Sequence, residues 1–292
     1  MEVLTAYVRG HSQQAQSVDS TAGEFSKRPT VEIQAILTVI GRRRDDLCAR
    51  TDAQIDLRGA DLRGSVLRGV NLRGADMVGT RLDDVFAAEA RFEGAAMTGA
   101  QLPRANMRRA QLQTTNLIRA NLQGANLQWA HLDGALLNEA QLDVANLIEA
   151  RLCKTRMESA RLRKAHLEGA TATEATLHMA DLSEAHLQGA NLTGAHLEGA
   201  SLVGAHLEGA LLGNARFENA DLRHAHLEGA DVTDAALSGA NFEGTHLAGI
   251  IGLSQEEVNQ CRLNHQTVLP DGFTHSAMEH DDLDGEPKTA GI

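Results

Sequence analysis

Aromatic residues are nearly absent from this chain, which holds one Trp, one Tyr and six Phe among 292 residues. Hydrophobic residues nevertheless make up 42% of it, so the buried material must be aliphatic and small. A chain this long and this apolar can build a sizeable core, which argues against a wholly disordered protein. The lack of aromatics also argues against a nucleic-acid partner, because single-strand binding surfaces stack bases on aromatic rings.

Proline, cysteine and long apolar runs are scarce as well. Only four Pro accompany 27 Gly, which excludes a collagen-like composition. The three cysteines, Cys48, Cys153 and Cys261, are odd in number and form no CxxC pair, so a disulfide framework and a thiolate metal site are excluded. The sequence shows no apolar run of about eighteen residues and no basic start followed by an apolar core, the pattern that marks a signal peptide. We therefore expect a cytoplasmic protein without a membrane partner.

What the chain does have is a five-residue repeat that runs without a slip from residue 55 to residue 250. Every fifth residue from Leu57 to Leu247 gives 39 positions, of which 29 are Leu, four Met, three Phe, one Val and two Ala. Two residues before each of these, 31 of the 39 positions hold Ala. A period of five fits neither a helix, with about 3.6 residues per turn, nor a plain strand, which alternates with a period of about two.

The period predicts a chain that turns a corner every five residues. Four repeats then close a square coil of about twenty residues, and successive coils stack through parallel β-bridges about 4.8 Å apart. Leu fills the axis of the coil and Ala stays small beside it, because both share one narrow lumen. The fold class is therefore an all-β solenoid. Its expected core includes Leu57, Leu62, Leu122, Leu182 and Leu222.

The repeat A-x-L-x-x, kept over residues 55–250, resembles the pentapeptide-repeat proteins. The resemblance implies a right-handed quadrilateral parallel β-helix of nearly ten coils. Residues 3–12 and 28–44 are similar to the segments that precede the repeats in a group of actinobacterial members, whose longer forms carry a membrane anchor upstream. By that resemblance, this chain starts inside the pattern and lacks the anchor.

The segments beside the repeat predict short α-helical caps, because an open β-helix exposes backbone edges and an apolar lumen at each end. Ile33, Leu37 and Ile40 recur on one helical face, and Ser254 with Glu257 forms a capping-box pattern. We expect a short N-terminal helix and mobile linker (1–28), an N-terminal cap helix (29–54), the β-helix (55–250), a C-terminal cap (251–273) and a disordered acidic tail (274–292).

Two repeats lack a bulky central residue, since Ala87 and Ala172 stand where Leu is expected. At the first, either the strand bulges or Phe86 is exposed on the outer surface. At the second, Ala172 is expected to leave a void between Leu152 and Leu192 in the stacked column. The sequence favours local strain or a tolerated cavity at both places over a functional site.

Outward residues twenty apart stack into columns, and one column holds five of the 13 histidines. One hypothesis is metal binding, because imidazoles about 4.8 Å apart beside a column of carboxylates suit zinc or nickel. The alternative is a solvated column left by duplication of the segment AHLEGA, and the sequence favours it because duplication alone explains the pattern. The histidines are His166, His186, His206, His226 and His246, and the neighbouring carboxylates are Glu168, Glu208 and Glu228.

Charge divides the repeat into two halves. Residues 56–165 carry a net charge of +4 and residues 166–250 a net charge of −10, against −12 for the whole chain. Such asymmetry steers partners but does not indicate a reaction. The candidate interaction residues are an arginine cluster around one coil, one corner Trp and the carboxylate column, namely Arg151, Arg156, Arg161, Trp129, Glu168, Glu208 and Glu228.

The sequence contains no nucleophile beside a base, no paired-carboxylate cleft, no phosphate-binding loop and no HExxH motif. A filled lumen also leaves no pocket for a cofactor. We expect a non-catalytic scaffold, without a cofactor, whose outer faces bind a protein. The family resemblance implies a second hypothesis, interaction with DNA gyrase or topoisomerase by imitation of acidic duplex DNA, although the basic half argues against uniform mimicry. Metal binding by the histidine column is the third.

Overall fold

The computed structural model describes residues 2–14, 31–41 and 55–274. These residues contain the helices α1 (Glu2–Gln14), α2 (Val31–Gly41) and α3 (Gln255–Gln260). None of these helices is long and apolar enough to cross a bilayer. The mobile linker predicted before residue 29 and, apart from Thr274, the acidic tail predicted over 274–292 lie outside the described residues.

The remaining chain is a stack of square coils, as the five-residue period predicts. Each repeat places one residue in a parallel β-bridge with the residue twenty positions later, beginning with Asp56 and Asp76. Four such ladders run side by side, so four repeats complete one coil. The four faces are numbered here by their first bridging residue: face 1 from Asp56, face 2 from Asp61, face 3 from Val66 and face 4 from Asn71.

The backbone hydrogen bonds differ among the five positions of the repeat. In residues 55–59 these positions are named small, bridging, central, first corner and second corner. The central amide of Leu57 donates to the carbonyl of Asp76 at 2.7 Å, and the Asp76 amide donates back to Ile55 at 2.8 Å. The second-corner amide of Gly59 donates to the next coil at 2.9 Å. Successive coils are therefore joined at every repeat, with few backbone donors left over.

The first-corner amide depends on the bridging side chain of its own repeat. Asn126 accepts from the Gln128 amide at 3.1 Å, and Asn146 accepts from the Ile148 amide at 3.1 Å. These bonds satisfy a donor that the ladders do not use, which explains the frequency of Asn and Asp at bridging positions. Among the described residues, no bridging His accepts in this way.

Central and small residues fill the lumen of the coil. Where Thr replaces Ala at a small position, its hydroxyl donates to a backbone carbonyl, as from Thr115 to Phe92 at 2.8 Å and from Thr245 to Leu222 at 2.7 Å. A buried hydroxyl is tolerated because it is hydrogen-bonded. The central residues exposed by no more than 1% include Leu57, Leu62, Leu122, Leu182 and Leu222.

The register continues unchanged through both Ala centres. Phe86 bridges Val66 and Asn106, and its side chain is 50% exposed on face 3. The exposed-Phe alternative is therefore the one the chain adopts, and the alternative of a bulge is wrong. Ala172 is 2% exposed, and its amide keeps the ladder bond to the Asn191 carbonyl at 2.7 Å.

The coil continues beyond residue 250, where the five-residue period of the sequence ends. Ile251 still bridges Asp231, and Arg262 and Val268 extend the ladders of faces 2 and 3. α3 is inserted between Ile251 and Arg262, and it begins at a capping box in which the Ser254 side chain accepts from the N3 amide. The backbone beyond residue 250 therefore continues the coil although its sequence lacks the five-residue repeat.

At the other end, both N-terminal helices contact the first coil. Gln34 of α2 donates from Nε2 to the Val66 carbonyl at 2.7 Å and accepts from the Val66 amide at 2.9 Å. Arg9 of α1 donates to Asp56, the first bridging residue. These polar contacts satisfy edge groups of the coil that no preceding coil covers.

Filling the short central position at Ala172 is expected to stabilise the rod. Ala172→Leu restores the side chain present at Leu152 and Leu192 in the same column, so we expect the free energy of unfolding to rise by about 1 kcal/mol. Urea unfolding followed by circular dichroism measures this change. Ala175→Leu, the same substitution at a small position, serves as the control and is expected to lower stability by overpacking. A loss of stability in Ala172→Leu would contradict the prediction.

Docking of α1 is expected to depend on the charge of Asp56. A side-chain hydrogen bond from Arg58, with a smaller contribution from the charge of Arg9 in α1, lowers the pKa of that carboxyl to about 2. Its stabilising contribution is therefore present above about pH 4 and is lost as the pH falls through about 2. At neutral pH, Asp56→Asn should accelerate amide exchange in α1 by about threefold. Asp76→Asn, which alters the carboxylate 3.4 Å from Arg58 one coil further on, should leave that exchange unchanged.

Candidate functional site

Face 3 carries three unusual features along one side of the rod. α2 lies beside its first coils, Trp129 occupies a corner near its middle, and the histidines form its later bridging column. The twenty-residue register aligns the histidines in one column, because residues at equal positions in successive coils stack, whereas α2 reaches this face by its own packing. This face is the candidate functional site.

A groove of about 970 Å³ is lined on one side by α2 and on the other by the first coils of face 3. Val66 and Phe86 form much of its floor and are 54% and 50% exposed. Val31 and Ala35 of α2 and Ala88 of the coil add further apolar lining. An apolar concavity of this size is typical of a binding site.

Uncompensated positive charge borders the groove. Arg68 pairs with Glu89 at 3.3 Å, as most arginines of the rod pair with a carboxylate. Among the described arginines, Arg108, Arg109 and Arg262 have no carboxylate within 4.0 Å. Two of these three line the groove, so its rim attracts anionic groups.

Trp129 adjoins these two arginines. The guanidinium carbons of Arg108 and Arg109 lie 4.4 and 5.0 Å from the centre of its ring, which is cation–π geometry. The indole Nε1 donates to Glu149 Oε2 at 3.0 Å. Trp129 is thus a fixed, half-buried aromatic group beside the basic rim.

The histidines of face 3 form a stacked column. Ring centroids from His166 to His246 are separated in turn by 4.7, 5.1, 4.8 and 4.9 Å, close to the spacing of the coils. The first three pairs are parallel within 4°, whereas His226 and His246 are inclined by 43°. The last pair therefore departs from simple stacking.

Carboxylates at the first corner accompany the column. Nδ1 of His166 lies 3.0 Å from Glu168 Oε1, and Nδ1 of His206 lies 3.1 Å from Glu208 Oε1. Glu228 Oε1 is shared, because it lies 3.5 Å from Nδ1 of both His226 and His246. The other oxygen of each carboxylate is buried without a hydrogen-bond partner among the described residues. Imidazole and carboxylate together form a donor set for a divalent transition metal.

The arginines predicted as one interaction cluster do not form one surface. Arg151, Arg156 and Arg161 bridge on faces 4, 1 and 2, so they point in three directions. Each is also paired with a carboxylate, at distances of 3.2, 3.3 and 2.9 Å. Trp129, Glu168, Glu208 and Glu228, by contrast, all lie on face 3.

Two features of the structure were not predicted from the sequence. The groove depends on where α2 lies, which no repeat position encodes. A second imidazole cluster on face 1 joins His178 and His196 through Glu198, whose carboxylate oxygens lie 2.9 and 3.7 Å from the two Nδ1 atoms. Because the two histidines occupy a first corner and a bridging position, no column of residues twenty apart contains both.

Comparison with known proteins agrees with this architecture. The family model for pentapeptide repeats matches eight segments between residues 53 and 250. The chain belongs to the pentapeptide-repeat family. Its square coil is therefore the right-handed quadrilateral β-helix that the resemblance implied. Among curated proteins, no sequence matches the chain.

Several solved pentapeptide-repeat proteins are similar to it. HetL of Nostoc sp. strain PCC 7120, involved in heterocyst differentiation regulation, is 31% identical over 77% of this chain and 94% of its own, with a TM-score of 0.36. A protein of the Arabidopsis thaliana thylakoid lumen is 34% identical over 35% of this chain and 67% of its own, with a TM-score of 0.28. QnrB1, a plasmid-mediated fluoroquinolone resistance protein, is 17% identical over 65% and 89%, with a TM-score of 0.37.

The single Trp provides a fluorescence reporter for the charge at the groove. Iodide, an anionic quencher, should collect near Arg108 and Arg109, so Arg108→Gln with Arg109→Gln should lower its Stern–Volmer constant about twofold. Arg151→Gln with Arg156→Gln removes the same charge from other faces and should leave quenching of Trp129 unchanged. An equal decrease in both double variants would show that net charge, and not the groove, controls the effect.

Proposed function

We propose that the chain is a non-catalytic interaction rod that binds a protein partner through the groove of face 3. The observation that carries this proposal is the pair Arg108 and Arg109, which lack a carboxylate partner among the described residues and border an apolar floor. Arg and Trp supply much of the binding energy at protein interfaces, particularly beside a buried pocket. Trp129 completes this set.

The polar groups of the groove support binding more than catalysis. Gln34 uses both ends of its amide on the Val66 backbone, and the Thr38 hydroxyl donates to the Gln34 carbonyl at 2.8 Å. Glu89 is paired with Arg68. Gln34 joins the two walls, the other groups are occupied by partners within their own wall, and none is placed as a nucleophile beside a base.

The lining also suggests the chemistry of the partner. Phe86 and Val66 offer an apolar floor, while Arg108 and Arg109 offer charge to acceptor groups at the rim. A protein segment that presents apolar side chains between Asp or Glu residues matches both. Carboxylates would form charge-assisted hydrogen bonds with the two guanidinium groups, which supply orientation as well as affinity.

Affinity capture from the source cell tests this proposal with three forms of the rod. Wild type and the Arg151→Gln, Arg156→Gln variant should retain a common protein that Arg108→Gln with Arg109→Gln retains at least about tenfold less. A photo-crosslinking residue at Ala88, on the groove, should link to that same protein, while one at Asn138, on face 1, should not. Equal capture by all three forms would contradict the proposal.

Interaction with DNA gyrase is the competing hypothesis and places the contact elsewhere. Mimicry of duplex DNA would use the acidic coils of residues 166–250, which carry a net charge of −10. It predicts that micromolar protein alters gyrase supercoiling and that Arg108→Gln with Arg109→Gln leaves this effect intact. No change in supercoiling would exclude it.

A further inference from the structure

Three places in the described chain bring two imidazoles and a carboxylate together with their donor atoms within 4.8 Å of one another. Two lie at the ends of the histidine column on face 3, and the third is the cluster on face 1. They share ligand types but differ in geometry and in their charged neighbours. Those differences separate one site from the other two.

The face 1 cluster already has a cation beside its carboxylate. Arg216 Nε lies 2.9 Å from Glu198 Oε1, and the same guanidinium reaches Glu218 at 3.3 Å. A metal ion bound to Glu198 would have to displace this ion pair or lie beside a fixed positive charge. Repulsion between the two cations disfavours metal binding there.

The first site on face 3 has parallel rings. His166 and His186 are inclined by 3° with their centroids 4.7 Å apart. The lone pair of an imidazole nitrogen lies in the plane of its ring, so two parallel rings direct their lone pairs along parallel lines. These lines do not converge on one ion unless a ring leaves its stacked position.

The last site on face 3 is arranged differently. His246 is inclined by 43° to His226, and Glu228 Oε1 lies 3.5 Å from Nδ1 of each. Ligand atoms about 2.1 Å from a tetrahedral zinc ion are about 3.4 Å apart, so both distances already suit a shared ion. The three side chains are 35%, 36% and 45% exposed, which leaves the site open to solvent.

The surroundings of Glu228 favour a cation. Among the described residues, only the two histidines come within ion-pair distance of its carboxylate, and its buried Oε2 has no hydrogen-bond partner. Ala248 stands where a further Glu would follow in the column. Simple duplication of AHLEGA would give His246 its own carboxylate, so sharing of Glu228 is a particular feature of this end.

We propose that His226, Glu228 and His246 form a binding site for a divalent transition metal ion, Zn²⁺ or Ni²⁺, with water completing the coordination. Two imidazoles and one carboxylate are a common protein ligand set for zinc, and imidazole also suits nickel. The ion would replace the shared contact of Glu228 with both rings and join two neighbouring coils. It would lie on the same face as the groove but at the opposite end of the rod.

Calorimetric titration of the untagged full chain with zinc chloride tests this site. Asn occupies the same column at residues 126 and 146, so His→Asn substitution is compatible with the coil. His246→Asn should weaken the tightest zinc-binding step by at least about tenfold, while His166→Asn, at the other end of the column, should not. His178→Asn should also have no effect, because Arg216 already neutralises Glu198.

Thermal unfolding provides the second measurement. Zinc should raise the Tm of the wild type and of His166→Asn, since an ion that binds the folded state alone stabilises it, but should not raise that of His246→Asn. Circular dichroism without metal verifies that each variant keeps the coil. Absence of zinc binding to the wild type, or equal losses in His246→Asn and His166→Asn, would overturn the proposal and leave the groove unaffected.

Discussion

The backbone hydrogen bonds between coils are the constraint on which the rest of this structure depends. A central amide reaches the carbonyl of the bridging residue in the next coil, as Leu57 reaches Asp76, and the bridging amide returns a bond. The two bonds fix a separation of one coil between partners. Because the same exchange recurs at each repeat, a slip of one residue would break bonds on all four faces, so the register is uniform.

This register determines both which residues fill the lumen and where side chains that could bind another molecule can lie. Four walls joined at coil spacing enclose room for Leu at central positions and Ala at small ones, and the lumen is then filled. Recognition therefore has to use side chains on the outside. Outward residues at equal positions lie in straight columns. A difference between two successive residues of a column, such as Asn146 and His166, therefore changes the side chain that a face presents from one coil to the next.

The parts of the molecule that sequence reasoning predicted are those the register controls directly. The square coil and the burial of Leu122 or Leu182 follow from the five-residue period. The column from His166 to His246 follows from it too. The shared position of Glu228 could not be predicted, because it depends on the 43° inclination of one ring and not on sequence spacing.

The five-residue period also could not predict contacts between residues at different positions of the repeat or with the helices outside it. The groove depends on the packing of α2, and the face 1 cluster pairs a corner His178 with a bridging His196. The arginines around one coil appeared as a basic surface in the sequence, yet Arg161 lies 2.9 Å from Asp143 and its neighbours are paired likewise. Charge counts locate residues along the rod but do not show which carboxylates neutralise them.

The two ends of face 3 therefore present different side chains to solvent. Arg108 and Arg109 lie near its N-terminal end, and His226 with Glu228 lies six coils further on, which is about 29 Å at the spacing of β-bridges. This distance exceeds the screening length of about 8 Å at physiological salt, so the charges at the two ends are electrostatically independent of each other. A partner that contacted both ends would need acidic groups beside Arg108 and Arg109. It would need basic groups beside the carboxylates of residues 166–250, which carry a net charge of −10. Only one of its two orientations along the rod then satisfies both, and a face of this kind selects orientation even where its affinity is modest.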